Sequence, residues 1–113
     1  MMAFLMGLKS VSPGELQGLV DKRAVTVVDV NSRQSWDRAH VPGALHLDAF
    51  AYTQADLPAD KNASLVFYCS NPMCSKAPRA AKRARAMGYE NVKVMSAGIN
   101  GWIEERRPVE AGA

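Results

Sequence analysis

The chain has 113 residues, 48% of them hydrophobic and 22% charged. That size and composition suit a single globular domain, 1–113, and exclude a disordered or collagen-like chain. A net charge of +3 favours small anions or an acidic protein partner, but it is too modest and too poor in interleaved aromatics for nucleic acid.

The longest apolar stretch is far short of the roughly 20 residues of a membrane helix, so no membrane association is expected. Residues 1–8 are apolar, with no basic residue before them and no cleavage site. No signal peptide is therefore expected, and a cytoplasmic protein is the default.

Ser12-Pro13-Gly14-Glu15 predicts a helix start: Ser12 as N-cap, Pro13 at the first helical position, and Glu15 completing a capping box. Residues 25–30 are an apolar, β-branched run without polar alternation, as in a strand buried on both faces. A short helical turn is expected over 32–37, a turn at 41–43 and a short strand over 44–47. Residues 49–63 read as loop and short helix. A second buried strand, 64–68, runs directly into Cys69. From Ser75 to Met87, the residues Ala77, Ala80, Ala81, Ala84 and Met87 make an apolar stripe at helical spacing, ended by Gly88 as a left-handed cap. A strand over 92–95 and a short helix after Gly98, carrying Trp102, complete the chain. Alternating strands and helices predict a mostly parallel sheet with helices on both faces, whose ligands bind at the strands' carboxyl ends.

Cys69 lies at such an end, in a loop to a helix N-terminus: Cys69-Ser70-Asn71-Pro72-Met73-Cys74-Ser75-Lys76. Backbone N–H groups curled toward one centre, the helix dipole and Lys76 would together stabilise a thiolate, a bound anion or the outer sulfur of a persulfide. Positive charge is concentrated from this loop onward: residues 69–113 carry eight Lys/Arg against four Asp/Glu, whereas 1–68 carry six against seven. A disulfide between Cys69 and Cys74 would close a tiny loop and stabilise little. The pair therefore reads as reactive thiols in a reducing compartment, with Cys74 either a resolving thiol for Cys69 or an apolar filler at the helix entrance. His40 is expected to order the backbone at the 41–43 turn and Asp29 to cap a neighbouring loop, both as structural support. His46, Trp36 and Trp102 read as packing residues. Spacing of Cys69, Cys74, His40 and His46 is too irregular for zinc, and no metal or organic cofactor is expected.

Residues 29–44, from Asp29-Val30-Asn31 through Trp36 to His40-Val41-Pro42-Gly43-Ala44, resemble the D-V-R-x-x-x-E-W-x-x-G-H-I-x-G-A element of the single-domain rhodanese-like sulfurtransferases. Gly88-Tyr89-Glu90-Asn91-Val92 and Ser96-Ala97-Gly98-Ile99-Asn100-Gly101-Trp102 are similar to that family's closing element, and Cys69 falls where the family places its catalytic cysteine. The resemblance spans about residues 10–107. It implies a rhodanese-like α/β fold with a central five-stranded parallel sheet between helices. It also implies thiosulfate sulfurtransferase chemistry. Cys69 would take a sulfane sulfur from thiosulfate or a low-molecular-weight persulfide, and pass it to a thiophilic acceptor. The loop residues Ser70, Asn71, Met73, Cys74, Ser75 and Lys76 would hold the persulfide, through the amides of residues 70–75.

Four positions depart from the family pattern: Asn31 for arginine, Ser35 for glutamate, and Ala39 and Ala97 for glycines. Pro72 has no N–H to give the cradle and restricts Asn71. The loop also resembles the phosphate loop of cysteine phosphatases, but Ser75 stands where those carry arginine, and Lys76 cannot make the same bidentate contact. Two alternatives stand beside sulfur transfer. One is a thiol switch cycling Cys69 and Cys74 between dithiol and disulfide. The other is a non-catalytic interaction module using the basic helix, with Arg79 and Arg83, to dock an acidic protein donor or acceptor.

Overall fold

The capping box at Ser12 forms as the sequence predicts. In a computed structural model that describes residues 7–112, the Glu15 N–H donates to Ser12 Oγ (3.0 Å) and the Ser12 N–H to Glu15 Oε1 (2.9 Å). Such a cap contributes about 1 kcal/mol. It starts helix α1, Pro13–Asp21. Residues 1–6, most of the apolar run considered for a signal peptide, lie outside the described residues, as does residue 113.

Five strands follow the order β1-β5-β4-β2-β3, all pairings parallel. They are β1 (Lys9–Ser10), β2 (Thr26–Asp29), β3 (Leu45–His46), β4 (Leu65–Tyr68) and β5 (Val92–Val94). Between them lie α2 (Arg33–Arg38), a 3-10 turn (Gln54–Asp56) and α3 (Lys76–Ala86), with α4 (Gly98–Glu104) after β5. The predicted strands and helices appear within a residue or two of their expected ends. β1 was not foreseen: two exposed residues, Lys9 and Ser10, carry no pattern, and only pairing with Lys93 and Val94 makes them a strand.

Strand alternation sorts the core into two halves. Leu65 and Phe67 of β4 and Val28 of β2 point to one face, where they meet the Ala77, Ala80, Ala81 and Ala84 stripe of α3 with Tyr52 and Tyr89. Val66 and Tyr68 of β4 and Val27 of β2 point to the other, against Leu16 of α1 and Ile99 and Trp102 of α4. Alanine carries too little side chain to hold a helix off the sheet, so α3 packs closely. Gly88 then ends the turn after α3 with φ +102°, open to glycine at no steric cost.

The last residues form a strap. Glu110 makes an isolated antiparallel bridge with His40, with backbone hydrogen bonds in both directions at 2.9 Å. Trp102 Nε1 donates to the Pro108 carbonyl (2.8 Å), and the Gly112 N–H to Asp37 O (2.7 Å).

Candidate active site

β4 lies at the centre of the sheet and delivers Cys69 to its carboxyl edge. By strand parity Cys69 shares the face of Leu65 and Phe67, so its sulfur lies on the α3 side; it is only 3% exposed. The following loop is set by Asn71. Its Oδ1 accepts the Met73 N–H (2.9 Å) and its carbonyl the Cys74 N–H (3.1 Å), which turns the chain back on itself.

That turn carries Cys74 over Cys69, and the two sulfurs are joined as a disulfide across a Cα–Cα distance of 6.4 Å. The spacing lies within the usual range of about 4.4–6.8 Å. The sequence expectation discounted a stabilising staple here and kept a disulfide as one state of a reactive pair; the structure shows that pair closed. Sequence separation showed a short loop but not the Asn71 turn that folds its ends together.

The turn also changes the expected cradle. Pro72 has no N–H, and the Met73 and Cys74 N–H groups are spent on Asn71, so three of the amides from 70 to 75 do not face an anion. Ser70, Asn71 and Ser75 keep N–H groups with no acceptor among the described residues. Lys76 and Ala77 add the unpaired donors of a helix start, and Pro78 costs none there because its N–H would be orphaned anyway. Met73, at the loop tip, is 84% exposed.

Two neighbouring segments hold the loop. From α4, the Ile99 and Asn100 N–H groups donate to the carbonyls of Cys69 (2.9 Å) and Ser70 (3.0 Å). Gly98 makes this approach possible. It has φ +68°, and a Cβ there would fall 2.7 Å from the Asn71 nitrogen and nearer still to the Ser70 carbonyl. From the β2 side, Ser70 Oγ donates to Asn31 Oδ1 (2.7 Å). Asn31 is 7% exposed; its N–H donates to Asp29 Oδ1 (2.8 Å), and its carbonyl accepts from His46 Nε2 (2.8 Å). Asn31 was read only as a departure from a family pattern. Its contact with the cysteine loop spans 39 positions, and the one available signal was its place immediately after a buried strand.

Asp29 is wholly buried, and burial pushes its carboxyl above the usual range. The Tyr68 hydroxyl and the Asn31 amide partly offset this, yet neither makes a hydrogen bond of good geometry to Oδ2. Tyr68 is pushed up still further by burial and by Asp29, so it remains a phenol and accepts the Val41 N–H (3.0 Å). His40 stands apart from the cysteine loop. Its ring stacks on Trp36 at 4.0 Å, and Nδ1 donates to the Trp36 carbonyl (2.7 Å), which leaves Nε2 toward Glu110 at 3.7 Å.

Space around the loop is unequal. Directly on Cys69 and Cys74 there is about 10 Å³, room for one water. Beside it opens a cleft of about 270 Å³, lined by Asn31, Arg33, His46, Asp48, Phe50 and Lys76. Among the described residues no three His, Cys, Asp or Glu side chains converge as a metal would require, and no helix is long and apolar enough to cross a membrane. On the basic helix, Arg79 and Lys82 are exposed, but Arg83 lies over the Tyr52 ring (5.2 Å) and donates to its carbonyl. Arg83 thus braces the Tyr52 segment against α3.

A buried cysteine at the carboxyl edge of a five-stranded parallel sheet, heading a tight loop into a helix, defines an α/β protein of the cysteine-loop class. The rhodanese-like domain model matches residues 12–105, and the chain belongs to that family. Among curated relatives, it is 32% identical over 106 residues to the HTH-type transcriptional regulator Rv0324 of Mycobacterium tuberculosis, covering 92% of this chain but 46% of that protein. The chain thus spans about half the length of that relative. With thiosulfate sulfurtransferase GlpE of Haemophilus influenzae the identity is 26% over 105 residues, covering 93% and 97% of the two chains. The human single-domain sulfurtransferase TSTD1 shares the fold, with a TM-score of 0.70 at 24% identity over 85% of this chain and 96% of that one.

Proposed function

We propose that this chain is a sulfurtransferase in which the Cys69 thiolate attacks the sulfane sulfur of thiosulfate. The sulfur–sulfur bond of the donor breaks, its electron pair leaves with sulfite, and Cys69 becomes a persulfide. A thiophilic acceptor then takes the outer sulfur. The observation that carries this reading is the place of Cys69, buried at the end of the central strand with α4 and Asn31 fixing the carbonyls and hydroxyl on either side of it. With those carbonyls and that hydroxyl already bonded, the Ser70 and Asn71 N–H groups and the start of α3 remain as the donors for a negative sulfur.

The 270 Å³ cleft supports a small anionic donor, including a low-molecular-weight persulfide, since Arg33, His46 and Lys76 line it and thiosulfate needs only part of its volume. Activity requires the disulfide to be reduced first, because a paired Cys69 has no thiolate to offer. The deciding measurement is thiocyanate formation from thiosulfate and cyanide by pre-reduced protein. Turnover in the wild type that is lost in Cys69→Ser is expected. Equal background rates in both, with thiosulfate and with a persulfide donor, would remove this reading.

A further inference from the structure

The Cys69–Cys74 pairing carries a further activity, which rests on the sulfur-transfer reading. We infer that Cys74 discharges the Cys69 persulfide within the protein, releasing its outer sulfur as hydrosulfide. The Cys74 thiolate attacks Cys69 Sγ, a Cys69–Cys74 bond forms, and the bond from Cys69 Sγ to the outer sulfur breaks. The electron pair leaves on that outer sulfur as HS⁻. The protein ends two electrons short of its dithiol form. A dithiol reductant restores both thiols and is itself closed to a disulfide. With thiosulfate as donor, the full cycle consumes thiosulfate and a dithiol and yields sulfite, hydrosulfide and a disulfide.

Three observations converge on this step. The Asn71 turn places the Cys74 sulfur on Cys69 Sγ itself, the atom that must be attacked for hydrosulfide to leave. Attack on the outer sulfur would only move the persulfide to Cys74. Next, the paired state leaves about 10 Å³ over the two cysteines, too little for a fresh donor, so the disulfide is a distinct stage that must be opened before reloading. Finally, the two sulfurs differ in access: Cys69 is buried, whereas Cys74 is half-buried. An incoming dithiol therefore meets Cys74 first and forms the mixed disulfide there. Cys69 leaves as the thiol that the next donor requires, with the Cys74 carbonyl 3.5 Å from its sulfur as a hydrogen-bond acceptor.

Single-turnover chemistry tests this. Pre-reduced, desalted wild type and Cys74→Ser are each mixed with thiosulfate, without cyanide or added thiol. Sulfite and sulfide are counted, and the protein is weighed by intact mass. The wild type is expected to release sulfide and sulfite in equal amounts and to finish as the Cys69–Cys74 disulfide. In Cys74→Ser the sulfur left behind for each sulfite released should stay on the protein as a stable persulfide, with the sulfide-to-sulfite ratio lower by about tenfold or more. Equal sulfide from both proteins, or a lasting persulfide on the wild type despite normal sulfite, would overturn the role of Cys74 and leave sulfur transfer intact. Absence of sulfite from both would remove the transfer reading, and this inference with it.

Discussion

The two faces of the sheet are built on opposite plans. On the α1 and α4 side the helices bring large side chains to the sheet: Leu16 and Trp102 are wholly buried with Tyr68, and the strap carrying Pro108, Glu110 and Gly112 lies alongside. On the α3 side, small residues bring helix and strand together around Cys69, and a 270 Å³ cleft adjoins the loop. At the first face the helices supply much of the bulk. At the second, the bulk comes from the sheet and its loops, as Phe67, Tyr52 and Tyr89, and the helix stays small where a thiol sits between a strand end and a helix start. Stability and reactivity should therefore respond to different substitutions.

The largest expected effect tests the α1 and α4 face. Trp102→Ala should cost about 3–5 kcal/mol in denaturant unfolding, through lost transfer energy and the cavity left behind. Sulfur loading per folded molecule should remain near that of the wild type. A loss of loading with little loss of stability would erase the distinction between the faces.

Gly98→Ala tests the seam where they meet. A Cβ there overlaps the Ser70 carbonyl, and the residue is held at φ +68°, so the cost should be about 1–3 kcal/mol. Because the displaced backbone belongs to the cysteine loop, thiocyanate formation should fall more steeply than stability does. Unchanged turnover would show that α4 does not hold the loop in its working shape.

The smallest effect concerns Asp29 and pH. Its folded-state affinity for a proton exceeds that of the unfolded chain, because burial penalises the carboxylate. As the pH climbs above the ordinary carboxylate value of 3.8, the folded protein therefore keeps more protons bound than the unfolded chain does, and Asp29's contribution to stability falls across that window. Asp29→Asn should remove this decline, so wild type and variant should diverge in the variant's favour from acid toward neutral pH. Parallel unfolding midpoints across that range would show that Asp29 does not titrate in the folded state as its burial requires.

Local chemistry was legible in the sequence wherever the cause was local. Ser12 and Glu15 bond each other three residues apart, and Gly88 and the alanine stripe bound and orient α3 within its own segment. Cys69 could be placed because a buried strand ran straight into a polar loop. What stayed hidden depends on residues far apart in the chain. β1 exists only through residues 93 and 94, the Asn31 contact joins two loops, and the strap binds His40 from position 110. Arg83 illustrates the same limit: its sequence position marks it as basic, and only Tyr52 makes it a support. The disulfide falls between these cases. Both cysteines were in view, but their union depends on how Asn71 spends its carbonyl and side chain.

The edge pairing of β1 with β5 bears on how the molecule is made. Lys9 emerges from the ribosome well before its partner Lys93, which follows 84 positions later. At about 5–20 residues per second the first strand waits roughly 4–17 s for its place on the sheet. β2 and β4, neighbours in the sheet whose paired residues lie 39 positions apart, can pair long before then. The nascent protein thus assembles outward from its centre, with β1 joining only after β5 has emerged.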